Sequence, residues 1–140
     1  MKTYKGRISS LKENEIFVFG SNTEGRHGKG AAKIAKDKFG AEYGNPQGLQ
    51  GNSWAIITKD LTKKTHPSYP KVLIFLQILQ LYLYAEQNKE KTFYIAYSGK
   101  GENLNGYTNN ELANMFFNKN IKVPQNIVFE EDFSRLSGRD

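Results

Sequence analysis

Ile16-Phe17-Val18-Phe19-Gly20-Ser21-Asn22-Thr23-Glu24-Gly25-Arg26-His27-Gly28-Lys29-Gly30-Ala31-Ala32 is the stretch whose reading decides the fold. Four apolar residues in a row, two of them aromatic and two β-branched, describe a strand buried on both faces over about Glu15–Phe19. The glycines at 20, 25, 28 and 30 follow at once, and beyond them Ala31, Ile34, Ala35 and Phe39 recur at helical spacing. A helix is therefore expected from about Lys29 to Phe39, with Gly40 at its C-terminal cap. A buried strand, a glycine-rich turn and a helix in that order make a ready anion site. Small residues let the backbone approach a ligand, and the first helical turn aims free N–H groups at it.

Working outward, the elements alternate in type. Tyr4–Ile8 reads as a short strand, and Gly44–Asn52 as a loop rich in Gly, Asn and Pro. Ser53–Thr58 is a strand, and Pro70 fits the first turn of a long helix reaching about Gln87. Thr92–Tyr97 is a further strand. Thr108-Asn-Asn-Glu111 has the capping-box pattern and opens a helix on which Leu112, Met115 and Phe116 share a face. Asn126–Phe129 closes the series as a strand. Strands alternating with helices predict an α/β domain, its mostly parallel sheet covered by helices on both faces. Residues 132–140 read as a loose C-terminal tail to a single domain spanning 1–140.

A second glycine-rich loop, Tyr97-Ser98-Gly99-Lys100-Gly101-Glu102-Asn103-Leu104-Asn105-Gly106-Tyr107-Thr108, also lies between a strand and a capped helix. Two such loops at one sheet edge would enclose a diphosphate, one on each side. The expected ligand contacts are Gly20, Ser21, Asn22, Arg26, His27, Gly28, Gly30 and Ala31 from the first loop. From the second they are Ser98, Gly99, Lys100, Gly101, Asn105, Gly106 and Tyr107. Neither loop is a known nucleotide motif. Gly25-Arg-His-Gly-Lys-Gly30 has P-loop glycine spacing, but Ala31 and Ala32 stand where Lys-Ser/Thr is required, and no Gly-x-Gly-x-x-Gly occurs.

Composition narrows the chemistry. The 140 residues include no cysteine, which excludes thiol catalysis, disulfide redox chemistry and cysteine-ligated zinc. The two histidines, His27 and His66, are far apart and lack a carboxylate at ligand spacing, so no metal site and no cofactor is expected. The most apolar run, Val72–Tyr84, is shorter than the ~20 residues a bilayer span needs and is broken by Gln77 and Gln80, so no membrane contact is expected. Met1–Arg7 carries no apolar signal core, and a cytoplasmic location follows as the expectation. A net charge of +6 and a pI near 9.4 attract polyanions, yet the lysines are spread along the chain without an arginine-rich arm. Diffuse lysine ordinarily solvates a surface, so nucleic acid is a less favoured partner than a small anionic ligand.

Ile16–Asn22 with the following Gly-Arg-His-Gly-x-Gly-Ala-Ala, the segment Gly48-Leu-Gln-Gly-Asn-Ser-Trp-Ala-Ile-Ile-Thr-Lys-Asp60 and Gly106-Tyr-Thr-x-x-Glu-Leu-Ala together resemble macrodomain-like proteins, many of them encoded by phages or prophages. The resemblance covers roughly Gly6 to Phe133. It implies a three-layer α/β/α fold that binds ADP-ribose or a related nucleotide, in the host cytoplasm if the chain is phage-encoded. It also implies that Asn22 contacts the distal ribose, and that Gly28–Ala32 and Ser98–Tyr107 form the two phosphate loops. Arg7 stands where many members carry an acid that recognises the adenine amino group, and the second loop is longer and more polar than usual.

Three functions remain open on this reading. One is a binding module that sequesters an ADP-ribose-like nucleotide signal. Another is an ADP-ribosyl hydrolase or phosphoesterase on the same site, with Asn22 as orienter and His27 or Asp60 as acid–base groups. The last is a nucleic-acid-binding protein. The absence of an evident nucleophile or metal site favours binding. Oligomeric state is not legible.

Overall fold

The computed structural model describes residues 1–138. It is a mixed α/β fold with a six-stranded sheet and, among the described residues, four helices. The strands are β1 (Thr3–Tyr4), β2 (Glu15–Asn22), β3 (Gly48–Gln50), β4 (Ser53–Lys59), β5 (Thr92–Ile95) and β6 (Ile127–Glu130). They lie in the order β1-β6-β5-β2-β4-β3, and every neighbouring pair is parallel except β3 with β4. The helices are α1 (Gly30–Lys38), α2 (Lys71–Gln87), α3 (Asn109–Phe116) and α4 (Glu131–Arg135).

β2 is central, and its four consecutive apolar residues are all buried, as expected for a strand covered on both sides. Successive side chains of a strand point to opposite faces. Phe17 and Phe19 accordingly join a cluster with Ala32, Ala35 and Phe39 of the α1 segment. Ile16 and Val18 join the larger cluster built on α2, α3 and Phe133 of α4. The alanines on α1 leave no bulk between helix and sheet, which brings the start of α1 close to the end of β2.

Four expectations from sequence change. The first strand shrinks to Thr3–Tyr4, tied in by the Tyr4 hydroxyl, which donates to the Ile95 carbonyl at 2.6 Å. The 44–52 segment is not all loop, because Gly48–Gln50 adds an antiparallel edge strand on β4. Pro70 caps α2 from the position just before it rather than lying in its first turn. The C-terminal tail is not loose over its first part. The Glu130 side chain accepts from the Asp132 and Phe133 amides and starts α4, whose Phe133 is fully buried. Residues 139–140 of that expected tail lie outside the described residues.

One buried polar residue closes the sheet where β3 ends. The β3–β4 pairing stops at Gly48↔Ala55, which would leave the backbone of Ile57 without a ladder partner. The Gln77 amide of α2 takes that place: its Nε2 donates to the Ile57 carbonyl at 2.9 Å and its Oε1 accepts from the Ile57 N–H at 2.7 Å. Leaving such groups unpaired costs about 1–3 kcal/mol each, so the glutamine inside an apolar helix has a structural cause. No helix of the described residues is long and apolar enough to cross a membrane.

Candidate functional site

Chain direction around β2 fixes where a ligand would bind. From β2 the chain leaves through α1 toward β4; from β5 it leaves through α3 toward β6, on the other side of the sheet order. Between two adjacent parallel strands whose connections diverge, a crevice opens beyond their carboxyl ends, and ligands of open α/β sheets bind there. The loops leaving β2 and β5 are the two glycine-rich loops.

A cleft of about 390 Å³ lies beside this point, over the ends of β2 and β4. Its floor is the end of β2, Gly20–Asn22, beside Thr58 and Lys59 at the end of β4. Arg26, Gly28, Lys29 and Ala32 form the wall from the first loop, and only Leu104 and Asn105 reach it from the second. Gly20 is bare for a local reason. A Cβ there would lie 2.5 Å from the Tyr97 hydroxyl, which sits beneath it near the Thr58 hydroxyl. Burial pushes that phenol up to about 12, against the opposing influence of hydrogen bonds from Thr58 and Asn105. It is therefore a neutral hydrogen-bonding group at ordinary pH.

The wall is electropositive. Helix α1 begins without a side-chain cap and has no acidic residue in its first turn. Its leading N–H groups are thus free of side-chain partners, and the helix dipole adds about half a positive charge at that end. Lys29 precedes the helix and Lys59 ends β4; among the described residues neither takes part in an ion pair, whereas Arg26 is held by Glu24 at 2.9 Å. Lys29, Lys59 and the open helix start thus border one cleft.

Several expected site residues have other roles. His27 does not reach the cleft. Its ring is fully buried, stands edge-on to Phe19 at 5.1 Å, and approaches the Asn45 carbonyl and Gln50 Oε1 at 3.1 and 3.2 Å. Both neighbours are acceptors, since Gln50 Oε1 also accepts from the Glu42 amide while Gln50 Nε2 donates to Asn45. Nε2 therefore carries the proton, and the buried Nδ1 has no partner among the described residues. The histidine pins the first loop from behind. Asp60 lies outside the cleft lining, where its carboxylate accepts from the Thr62 hydroxyl and amide to close a turn; these bonds hold its pKa below the usual carboxylate range.

Asn22 does line the cleft, but its polar atoms are engaged within the loop. Oδ1 accepts from the Glu24 and Arg26 amides at 3.2 and 3.0 Å, and Nδ2 donates to the Arg26 carbonyl at 3.0 Å. It organises the turn that presents Gly28 and Lys29. Gly30 and Ala31 stand at the helix start but off the lining.

The second loop splits. Asn105 reaches the cleft, and its Oδ1 accepts from the Tyr107 amide at 2.8 Å. Ser98, Gly99, Lys100 and Gly101 stay off the lining: a Cβ on Gly99 would lie 2.7 Å from the Phe133 nitrogen of α4, Lys100 pairs with Asp132 at 3.1 Å, and the Gly101 carbonyl accepts from Asn109 Nδ2 of α3. Gly106 packs on the His66–Pro67 backbone, and the Tyr107 hydroxyl donates to the Tyr69 carbonyl. Sequence reasoning missed Thr58, Lys59 and Leu61 of the lining; Lys29, Ala32 and Leu104 fall within the two expected phosphate loops without having been singled out as contacts. For Lys59 the available signal was its place at the end of a buried strand, but only the strand order brings that end beside Asn22.

No protein-family model matches the chain, and no curated protein or solved structure matches it either.

Proposed function

We propose that the chain binds a phosphate-bearing nucleotide, ADP-ribose or a relative, in the cleft between the ends of β2 and β4, and holds it without turnover. One observation carries this reading: the uncapped, acid-free start of α1 borders, through Lys29 and Ala32, the same cleft as Lys59, and neither lysine takes part in an ion pair among the described residues. Phosphate oxygens would accept from the leading amides of α1, with the two ammonium groups balancing their charge. The cleft volume lies within the ~300–1,000 Å³ typical of small-molecule sites. Helices packed on both apolar faces of β2 support the macrodomain-like, three-layer α/β/α reading of the fold.

Binding is preferred to hydrolysis because no carboxylate or imidazole is among the cleft-lining residues, and His27 and Asp60 are engaged elsewhere. A nucleotide held this way would be sequestered rather than consumed. Titration calorimetry with ADP-ribose, its cyclic relatives and non-adenine nucleoside diphosphates tests the proposal. A dissociation constant of about 0.1–100 μM is expected for at least one of them. No heat from any member of the panel would remove the proposal.

A further inference from the structure

Helix α2 carries a second surface, which the cleft does not use. No lysine or arginine occurs between Lys71 and Lys89, and Val72–Ala85 has no charged residue at all in a chain that is 24% charged. Ile74, Ile78, Leu81 and Ala85 face the core. On the opposite side Val72, Leu76, Leu79 and Leu83 follow at intervals of four, three and four residues, with Val72 62%, Leu76 49% and Leu83 60% exposed. That spacing is the apolar seam of a helix pair; Leu79 is half-buried, and among the described residues the other three stand exposed.

The patch continues onto the sheet edge. Leu49 of β3, 45% exposed, stands opposite Trp54 in the ladder, and Trp54 packs on Tyr84 of α2 at 4.9 Å. Paired residues of adjacent strands share a face, so Leu49 lies on the α2 side, and Gln47 Nε2 donates to Gln80 Oε1 at 3.3 Å across the junction.

We infer that this face is a homodimer contact in which α2 packs antiparallel against α2 of a second copy across a two-fold axis. An isologous contact needs a self-complementary patch, and this one is: Val72 meets Leu83 and Leu76 meets Leu79, twice each. Charge favours the same occupant. Two chains of net charge +6 repel least where lysines are absent, and the exposed side of α2 carries no charge from Val72 to Ala85. An acidic partner would gain more from the lysine-bearing faces. The exposed parts of Val72, Leu76, Leu79, Leu83 and Leu49 amount to roughly 400 Å² per copy, so a pair buries about 800 Å², below the standard size of specific interfaces, and the dimer is weak and concentration-dependent.

Sedimentation velocity on the full chain, from about 5 to 500 μM, tests this. The wild type is expected to pass from 15.9 kDa toward twice that mass. Val72→Lys and Leu83→Glu, each at a position more than half exposed, should keep the wild-type melting temperature at low concentration. Each alone should weaken self-association by roughly tenfold or more. Mixing the two variants should restore association, because position 72 of one copy faces position 83 of the other. A wild type monomeric throughout the range would overturn the inference, as would a dimer indifferent to both substitutions.

Discussion

At the scale of single residues, Gly28 and Gly30 look equivalent in sequence and are not equivalent in the fold. Gly30 opens α1 with φ +58°, a conformation that costs a side-chain-bearing residue about 1–2 kcal/mol, so substitution there strains the protein whether or not a ligand binds. Gly28 has no positive φ, lines the cleft, and would place a Cβ in open space. Gly28→Val should therefore abolish nucleotide binding at unchanged melting temperature, while Gly30→Val should lower the melting temperature as well. Parallel calorimetry and thermal melts on the two variants check this; a Gly28→Val protein that binds like its parent shows that the loop is only a turn. The same scale explains the His27 outcome. A histidine between an arginine and a glycine in a loop is indistinguishable, in sequence, from a phosphate ligand. Its burial depends on Gln50 and Asn45, which the chain brings against it from about twenty residues away.

Among the elements, those with strong local chemistry were legible and those created by long-range pairing were not. The β2 run, the α1 stripe ending at Gly40 and the Thr108–Glu111 box all form as their residues predict. β3 was unreadable because Gly48-Leu-Gln50 has no alternating pattern and pairs only through β4. The last helix was unreadable because a buried acid, Glu130, starts it by hydrogen bonds rather than by apolar period. The α3 cap makes its own prediction. The Lys71 ammonium, bonded to Glu111, is the chief cause that draws its carboxyl down to about 2, with the Thr108 amide adding to the effect. Since the folded value lies below that of an ordinary glutamate, its stabilisation is full above about pH 5 and fades as pH falls toward 2. Glu111→Gln should thus melt below the wild type by a constant margin at pH 5–7, and the margin should shrink toward zero near pH 2. A margin that stays the same through that window would show that the ionised carboxylate adds nothing.

For the whole molecule, sequence placed two glycine loops at the ends of parallel strands, and the strand order joins only part of them. β5 does bring its loop beside that of β2, but Gly99 and Lys100 are claimed by α4, leaving Asn105 and Leu104 to face the first loop. On the proposed reading, the ligand meets one helix start with a neighbouring strand end, rather than two symmetric phosphate loops. That claim is tested most directly by following every backbone amide in a ¹H–¹⁵N spectrum while ADP-ribose, or the panel member that binds best, is titrated in. The account predicts the largest shifts at Gly28, Lys29, Gly30, Ala31 and Ala32, smaller ones at Lys59 and Asn105, and little change at Ser98–Gly101. Shifts centred on Ser98–Gly101 with the α1 amides unmoved would contradict it, as would a spectrum that the nucleotides leave unchanged.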